Sequence, residues 1–127
     1  MKRKILALTL GICMFIFSGC SNQEEGLQEV TYEMVTFTYN PDRGNGTARL
    51  EYQFRFHNPN DFAIRGTHKI TINIDGVMST IDSTNDSGCI NIPNLSLCHL
   101  ASHIDYPHSS GIINSIEFVS IEYTIIQ

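Results

Sequence analysis

Residues 49–57, Arg-Leu-Glu-Tyr-Gln-Phe-Arg-Phe-His, decide the fold class of this chain. Apolar side chains stand at every second position from Leu50 to Phe56, and charged or polar side chains lie between them. This period of two is typical of a half-buried antiparallel strand, because successive side chains of a strand point to opposite faces of the sheet. The same period returns from Ile70 to Ile74, where Asp75-Gly76 predicts a turn.

Two further apolar segments change phase by one residue. The slip follows Met34 within residues 30–39 and Phe118 within residues 116–125. Each slip predicts a β-bulge, which bends a strand and would let it serve two sheets. Turn-forming residues separate the strands at 40–46, 82–88 and 106–111. The chain of 127 residues therefore predicts one all-β domain over residues 30–127, an immunoglobulin- or fibronectin-III-like antiparallel sandwich of about seven strands.

Two cysteines enclose a segment centred on Pro93-Asn94. A tight reversal at that centre would place Cys89 directly opposite Cys98 in a hairpin. Facing residues of an antiparallel pair have Cα atoms about 4.5–5.5 Å apart, within the range that a disulfide tolerates. We therefore predict a disulfide between them, which adds about 2.5–3 kcal/mol of stability in the chain-entropy model.

A metal site is the alternative use of this region. His99, His103 and His108 lie close in sequence to Cys98, and thiolate and imidazole ligands suit zinc or copper. Their spacing matches no zinc-finger or ribbon pattern, however, and an exported cysteine pair is more often oxidised than metallated. The disulfide is the prediction, and the metal site remains the alternative.

The sequence offers little for catalysis. His103 and Asp105 could be combined with a serine, but the chain has no nucleophile elbow, no phosphate-binding glycine loop and no HExxH motif. We therefore predict a domain that is not an enzyme and needs no cofactor. His57 and His68 lie on or near polar strand faces and are expected to be solvated.

The first twenty residues have the layout of a bacterial export signal. The basic cluster at residues 2–4 precedes an apolar run from Ile5 to Phe17, and Ser18-Gly19 stands before Cys20. The apolar run is shorter than the roughly 20 residues that cross a bilayer, so a permanent span is the weaker interpretation. Residues 17–20 resemble the bacterial lipobox, which implies cleavage before Cys20 and lipidation of that cysteine. An ordinary secretory signal with an incidental cysteine is the alternative.

Cleavage would divide the chain into a signal peptide (1–19), a lipidated flexible tether (20–29) and the sandwich (30–127). Ser21, rather than Asp, follows the cysteine, and by resemblance to the enteric sorting pattern this favours the outer membrane, facing the periplasm. The chain has eight Lys or Arg and 13 Asp or Glu, so losing the three basic residues at 2–4 leaves five against 13, a formal net charge of −8. Such a surface repels nucleic acid and anionic headgroups, so the predicted membrane contact is the lipid anchor.

Residues 54–64, Phe-Arg-Phe-His-Asn-Pro-Asn-Asp-Phe-Ala-Ile, resemble the water stress and hypersensitive response (WHy) domain, also found in type 2 late embryogenesis abundant proteins. In that family an alternating strand leads into an Asn-Pro-Asn turn and a second strand. The resemblance implies a β-sandwich without enzymatic activity and a link to desiccation and stress protection. Asn58, Pro59 and Asn60 carry over as a structural turn motif, because Pro59 keeps Asn58 extended and asparagine side chains can bond the loop backbone.

These features together predict a non-catalytic, membrane-anchored envelope lipoprotein whose sandwich is a binding or stress-protective module with a protein partner. The alternative is an accessory subunit of a secretion, pilus or adhesion assembly that offers an edge strand to its partner. A metal-binding protein is the third possibility.

Overall fold

The computed structural model describes residues 26–126 and contains seven β-strands. The all-β prediction is therefore confirmed. Within the described range, no helix has the length and apolar character needed to cross a bilayer. The strands are β1 (Thr31–Asn40), β2 (Thr47–His57), β3 (Ile64–Ile74), β4 (Val77–Asp82), β5 (Asn91–Ile92), β6 (Leu97–Pro107) and β7 (Ile116–Ile125), and a short 3-10 turn covers His108–Ser110.

The alternating segment 49–57 lies in β2, the central strand of the first sheet. β1 pairs with one edge of β2 and β6 with the other, both antiparallel. The apolar positions of β2 face inward, where Leu50, Phe54 and Phe56 are fully buried. Its charged positions face outward, as the period of two predicts.

β3 is the central strand of the second sheet. Ile70 pairs with Ile81 of β4 and with Ile121 of β7, so β3 lies between these two strands. β5 pairs with the beginning of β3, at Ile64 and Arg65. The hairpin from β3 to β4 turns at Asp75 and Gly76, which both have positive φ (49° and 92°). This is the type I′ geometry that an Asp-Gly pair favours, and the predicted turn is confirmed.

The core lies between the two central strands. Phe54 packs on Phe118 with ring centroids 5.5 Å apart, and Phe56 packs on Tyr123 at 5.3 Å. Each contact joins the first sheet to the second. The chain is thus a sandwich of two antiparallel sheets, whereas its closer likeness to immunoglobulin domains stays a prediction.

Both predicted bulges are present. Val35 is the extra residue of β1 against β2, and Val119 is the extra residue of β7 against β3. The expectation that these strands serve two sheets is wrong, however. In the described chain β1 pairs with β2 alone and β7 with β3 alone, so each bulge twists an edge strand instead of passing it between sheets.

The predicted disulfide is present, but the predicted hairpin is not. Cys89 and Cys98 are bonded, with Cα atoms 5.7 Å apart. β5 pairs with β3 and β6 pairs with β2, so the disulfide joins the two sheets instead of two arms of one hairpin. Local alternation could not reveal this, because it does not show which distant strand each arm pairs with. β6 pairs with β2 along its whole length, whereas β5 pairs with β3 at only two residues.

His68 was expected to be solvated, and this is wrong. It lies in phase with Ile70 and Ile72 and is only 6% exposed. Its ring stacks on Phe56 with centroids 5.4 Å apart, and Tyr123 lies on the same cluster at 6.3 Å. The apolar side of the β3 alternation therefore starts before Ile70 and includes a histidine.

Candidate functional site

One side of the sandwich leaves core-facing residues exposed, between residues 31–34 of β1 and residues 121–125 of β7. We call this region the open side. Tyr32 and Met34 are paired with the buried Phe56 and Phe54, so they occupy inward positions. Even so, Tyr32 is 47% exposed and Met34 is 46% exposed. An inward apolar position with this much exposure indicates that residues 26–126 leave part of the core uncovered here.

The bulge in β1 divides this side into a closed half and an open half. Beyond Val35, Phe37 meets Phe118 with ring centroids 5.7 Å apart, and the Tyr39 hydroxyl donates to the carbonyl of Ile113 at 2.7 Å. These contacts join β1 to β7 and to the loop before it. On the other side of Val35, Tyr32 and Met34 are about half exposed, which fits the stronger local twist that a bulge gives a strand.

No strand of the described residues pairs with the outer edge of β7 along the open side. The Ile126 amide donates to Arg65 of β3, and the register runs unbroken from Ile125 back to Ser120. Bonding residues alternate along an antiparallel ladder, so the N–H and C=O groups of Ile121, Tyr123 and Ile125 point away from β3. These groups form an edge to which an extended segment can add.

A groove of about 370 Å³ follows this edge, lined by Leu27, Glu29 and residues 122–125. Side chains from both faces of β7 line it, which places it at the edge of the strand. Glu29 and Glu122 give the groove two carboxylates, while Leu27 and Ile125 are apolar. The groove thus combines backbone hydrogen-bonding groups, apolar surface and negative charge.

The Asn58-Pro59-Asn60 motif holds the segment that leads into β1. The Asn60 side chain accepts from the Gln28 amide at 2.8 Å and donates to the Gln28 carbonyl at 2.9 Å. Asn58 is fully buried, and its Oδ1 accepts from the Asn60 amide at 2.9 Å. Its Nδ2 lies within hydrogen-bonding distance of the carbonyls of Phe62, Ile92 and Pro93. The motif therefore ties the loop before β3, the loop after β5 and the tether together.

Tyr123 and His68 hold the loop that carries Cys89. The Tyr123 hydroxyl donates to the Cys89 carbonyl at 2.7 Å, and His68 Nε2 donates to the Gly88 carbonyl at 2.9 Å. Burial raises the pKa of Tyr123 and lowers the pKa of His68. His68 Nδ1 is buried and has no partner among the described residues. Gly66 leaves room for this arrangement, because a Cβ there would collide with the Tyr123 ring.

The three histidines proposed as alternative metal ligands are not brought together. His99 and His103 lie on β6 and are four residues apart, a spacing of about 13 Å along a strand. The His108 ring, in the 3-10 turn, bonds the Pro41 carbonyl at 2.9 Å instead. No group of three or more His, Cys, Asp or Glu residues within 26–126 has a metal-binding arrangement.

Asp105, the other residue considered for catalysis, belongs to an ion pair on the outer face of the first sheet. Its carboxylate accepts from Arg49 Nε at 2.7 Å and from Arg49 Nη2 at 3.1 Å. The hydrogen bond from Arg49 lowers the pKa of Asp105. His103 lies 4.0 Å from the same carboxylate. The Asp105 carboxylate is therefore paired with the Arg49 guanidinium group.

The open side was not identified from the sequence, although its signal was present. The phase slip after Met34 marks the bulge, but edge position and exposure depend on strand pairing.

Cys20, the predicted lipidation site, lies outside the described residues. A scan against protein-family models, a search of curated proteins and a search of solved structures each found no match.

Proposed function

We propose that the protein is a lipid-anchored, non-catalytic binding module of the bacterial cell envelope that accepts an extended segment of a partner protein on its open side. The observation that carries this proposal is the exposure of Tyr32 and Met34, two inward-facing apolar residues. They lie beside an edge of β7 with which no other strand of residues 26–126 pairs. This is also the way in which an accessory subunit of an envelope assembly would engage its neighbour.

Strand addition fits both features of the open side at once. The free backbone groups of Ile121, Tyr123 and Ile125 would bond a partner strand, each bond contributing about 0.5–1.5 kcal/mol net. Alternate side chains of that strand would cover the exposed core residues, because strand side chains point to both faces in turn. Glu29 and Glu122 favour Lys or Arg at the remaining positions.

Two features support the envelope as the location. The segment before Cys20 resembles a lipobox, and several acyl chains on that residue would give a stable anchor. The Cys89–Cys98 bond joins the two sheets, and such bonds persist in oxidising compartments such as the periplasm.

The anchor is tested by mass spectrometry and fractionation of the full chain expressed in bacteria. We expect an N-terminal Cys20 that carries acyl chains and a protein that sediments with membranes. Cys20→Ala should carry no acyl chains, and a matched Ser21→Ala variant should keep them. A wild-type chain whose Cys20 carries no acyl chains would contradict lipid anchoring.

The open side is tested by amide hydrogen exchange of the lipidated chain in detergent with a synthetic peptide of alternating valine and lysine. We expect slower exchange at Ile121, Tyr123 and Ile125 when the peptide is added. Alternation from the Asn58–Ser96 bond places the amides of His99, Ala101 and His103 on the free edge of β6, and these serve as an internal control.

Glu122→Lys should weaken this protection because it reverses a charge in the groove. The matched control is Glu51→Lys, which changes the outer face of the first sheet. If the peptide slows amide exchange equally at the β6 and β7 edges, or at neither edge, the proposal of strand addition on the open side is wrong.

The stress-protective role implied by the WHy resemblance stays a prediction. It is tested by drying or heating a client enzyme with the purified protein. If a molar excess preserves no client activity, a protective role is excluded, and the binding proposal is unaffected.

A further inference from the structure

Three apolar side chains are exposed at the end of the sandwich where the tether enters. Phe62 is 43% exposed, Leu95 is 61% exposed and Leu97 is 60% exposed. Phe62 lies in the loop between β2 and β3, Leu95 in the loop between β5 and β6, and Leu97 begins β6. We call these three residues the tip.

The two loops of the tip are held as one unit. The Leu95 amide donates to the Asn60 carbonyl at 2.9 Å, and the Asn58 amide donates to the Ser96 carbonyl at 2.9 Å. Asn58 Nδ2 also bonds the carbonyls of Phe62 and Pro93. The loops of the tip are therefore fixed to each other, and Asn60 and Gln28 fasten them to the tether.

Leu95 has an unusual backbone conformation, with φ of 52°. Left-handed geometry disfavours a residue with a branched side chain, and glycine or asparagine normally occupies such positions. Here the turn presents a leucine to solvent and gains no core packing for it. An exposed apolar residue in a strained turn is a reason to look for a binding surface.

The length of the tether limits how far the tip can lie from the bilayer. Seven residues lie between Cys20 and Gln28, and the eight residue steps that join them span at most about 26–29 Å when fully extended. Gln28 is bonded to Asn60 in the tip loops, so an acylated Cys20 keeps the tip within that distance of the bilayer. The opposite end of the sandwich lies roughly 35 Å further away, the length of an eleven-residue strand.

We propose that the tip inserts Phe62, Leu95 and Leu97 into the interfacial region of the bilayer and so fixes the orientation of the sandwich on the membrane. This inference rests on the lipid anchor of the proposed function. Because the mature chain has a formal charge of −8, zwitterionic headgroups, which carry no net charge, suit this contact better than anionic ones. Insertion of three side chains would be weak alone, and the anchor supplies the local concentration.

Tryptophan fluorescence tests the proposal, because the chain contains no tryptophan. Leu95→Trp and Phe62→Trp place a single reporter at the tip. Val77→Trp places one at the far end of the sandwich, where Val77 is 67% exposed, and serves as the matched control. The lipidated full chain is reconstituted into phosphatidylcholine vesicles with and without brominated acyl chains, and acylation of Cys20 is measured by mass on the same samples.

We expect brominated lipid to quench both tip reporters, with a shift of their emission to shorter wavelength, and to leave the Val77→Trp emission unchanged. If Cys20 is acylated and the tip reporters are quenched no more than the control, the tip proposal is overturned and the binding proposal stands. If Cys20 carries no lipid, both the anchor and the tip proposal are overturned.

Discussion

Removal of the Asn58 side chain should lower the free energy of unfolding strongly, because this side chain is buried and holds several loops together. Three of its hydrogen bonds are buried: its Oδ1 accepts from the Asn60 amide and from Asn60 Nδ2, and its Nδ2 donates to the Ile92 carbonyl. Each buried polar group left without a partner costs about 1–3 kcal/mol, so Asn58→Ala should lower the free energy of unfolding by about 3–4 kcal/mol. A domain of this size has about 5–15 kcal/mol in total, so the variant should fold but be marginal.

Asn58→Asp separates the loss of donors from the burial of charge. The new carboxylate keeps the acceptor for Asn60 but cannot donate to the carbonyls. Because position 58 is fully buried, the pKa of the new carboxyl should be raised in the folded state. A raised folded pKa favours folding at low pH, so the deficit should be largest at neutral pH and shrink as the pH falls toward about 4.

Both variants are measured by urea unfolding of the acyl-free Cys20→Ala chain, followed by far-UV circular dichroism at several pH values. The control is Asn94→Ala, in an exposed turn of the neighbouring loop, which should change stability by less than about 0.5 kcal/mol. If Asn58→Ala costs no more than Asn94→Ala, the role assigned to the motif is wrong. A deficit of Asn58→Asp that does not vary with pH would refute the buried-charge argument.

Three further predictions concern other parts of the sandwich. Replacing Cys89 and Cys98 by Ala should lower the free energy of unfolding by about 2.5–3 kcal/mol. A reductant should lower the free energy of unfolding of the wild type but not that of the variant. His68→Phe should gain stability relative to wild type as pH falls below about 6.5, because burial lowers the pKa of His68 and protonation then favours the unfolded wild-type chain; parallel denaturation curves across pH would contradict this. Leu95→Asn should raise stability by up to about 1 kcal/mol by relieving the left-handed turn, while weakening tip quenching of a Phe62→Trp reporter; a loss of stability would show that Leu95 contributes packing.

Local features of this fold could be predicted from the sequence because their physics is local. The period of two in residues 49–57 requires only that one face be buried, and Asp75-Gly76 selects its own turn. The disulfide is also predictable, since nine positions separate its cysteines. Which strand each arm joins is a non-local choice, because β5 and β6 pair with strands that are distant in sequence. The burial of His68 is also a non-local result. A histidine predicts an exposed position, and only its stacking on Phe56 shows that it belongs to the core.

The most informative disagreement between sequence and structure lies in β1. The alternation of Tyr32 and Met34 calls for two buried side chains, and pairing with Phe56 and Phe54 turns them inward as expected. Burial also needs a neighbour across the gap, and β7 carries no further strand on that edge in the described chain. The pattern therefore specifies a core position that the folded chain leaves half exposed. A partner strand on β7 would bury Tyr32 and Met34, because its inward side chains would pack against them. The alternating pattern of β1 predicts this burial.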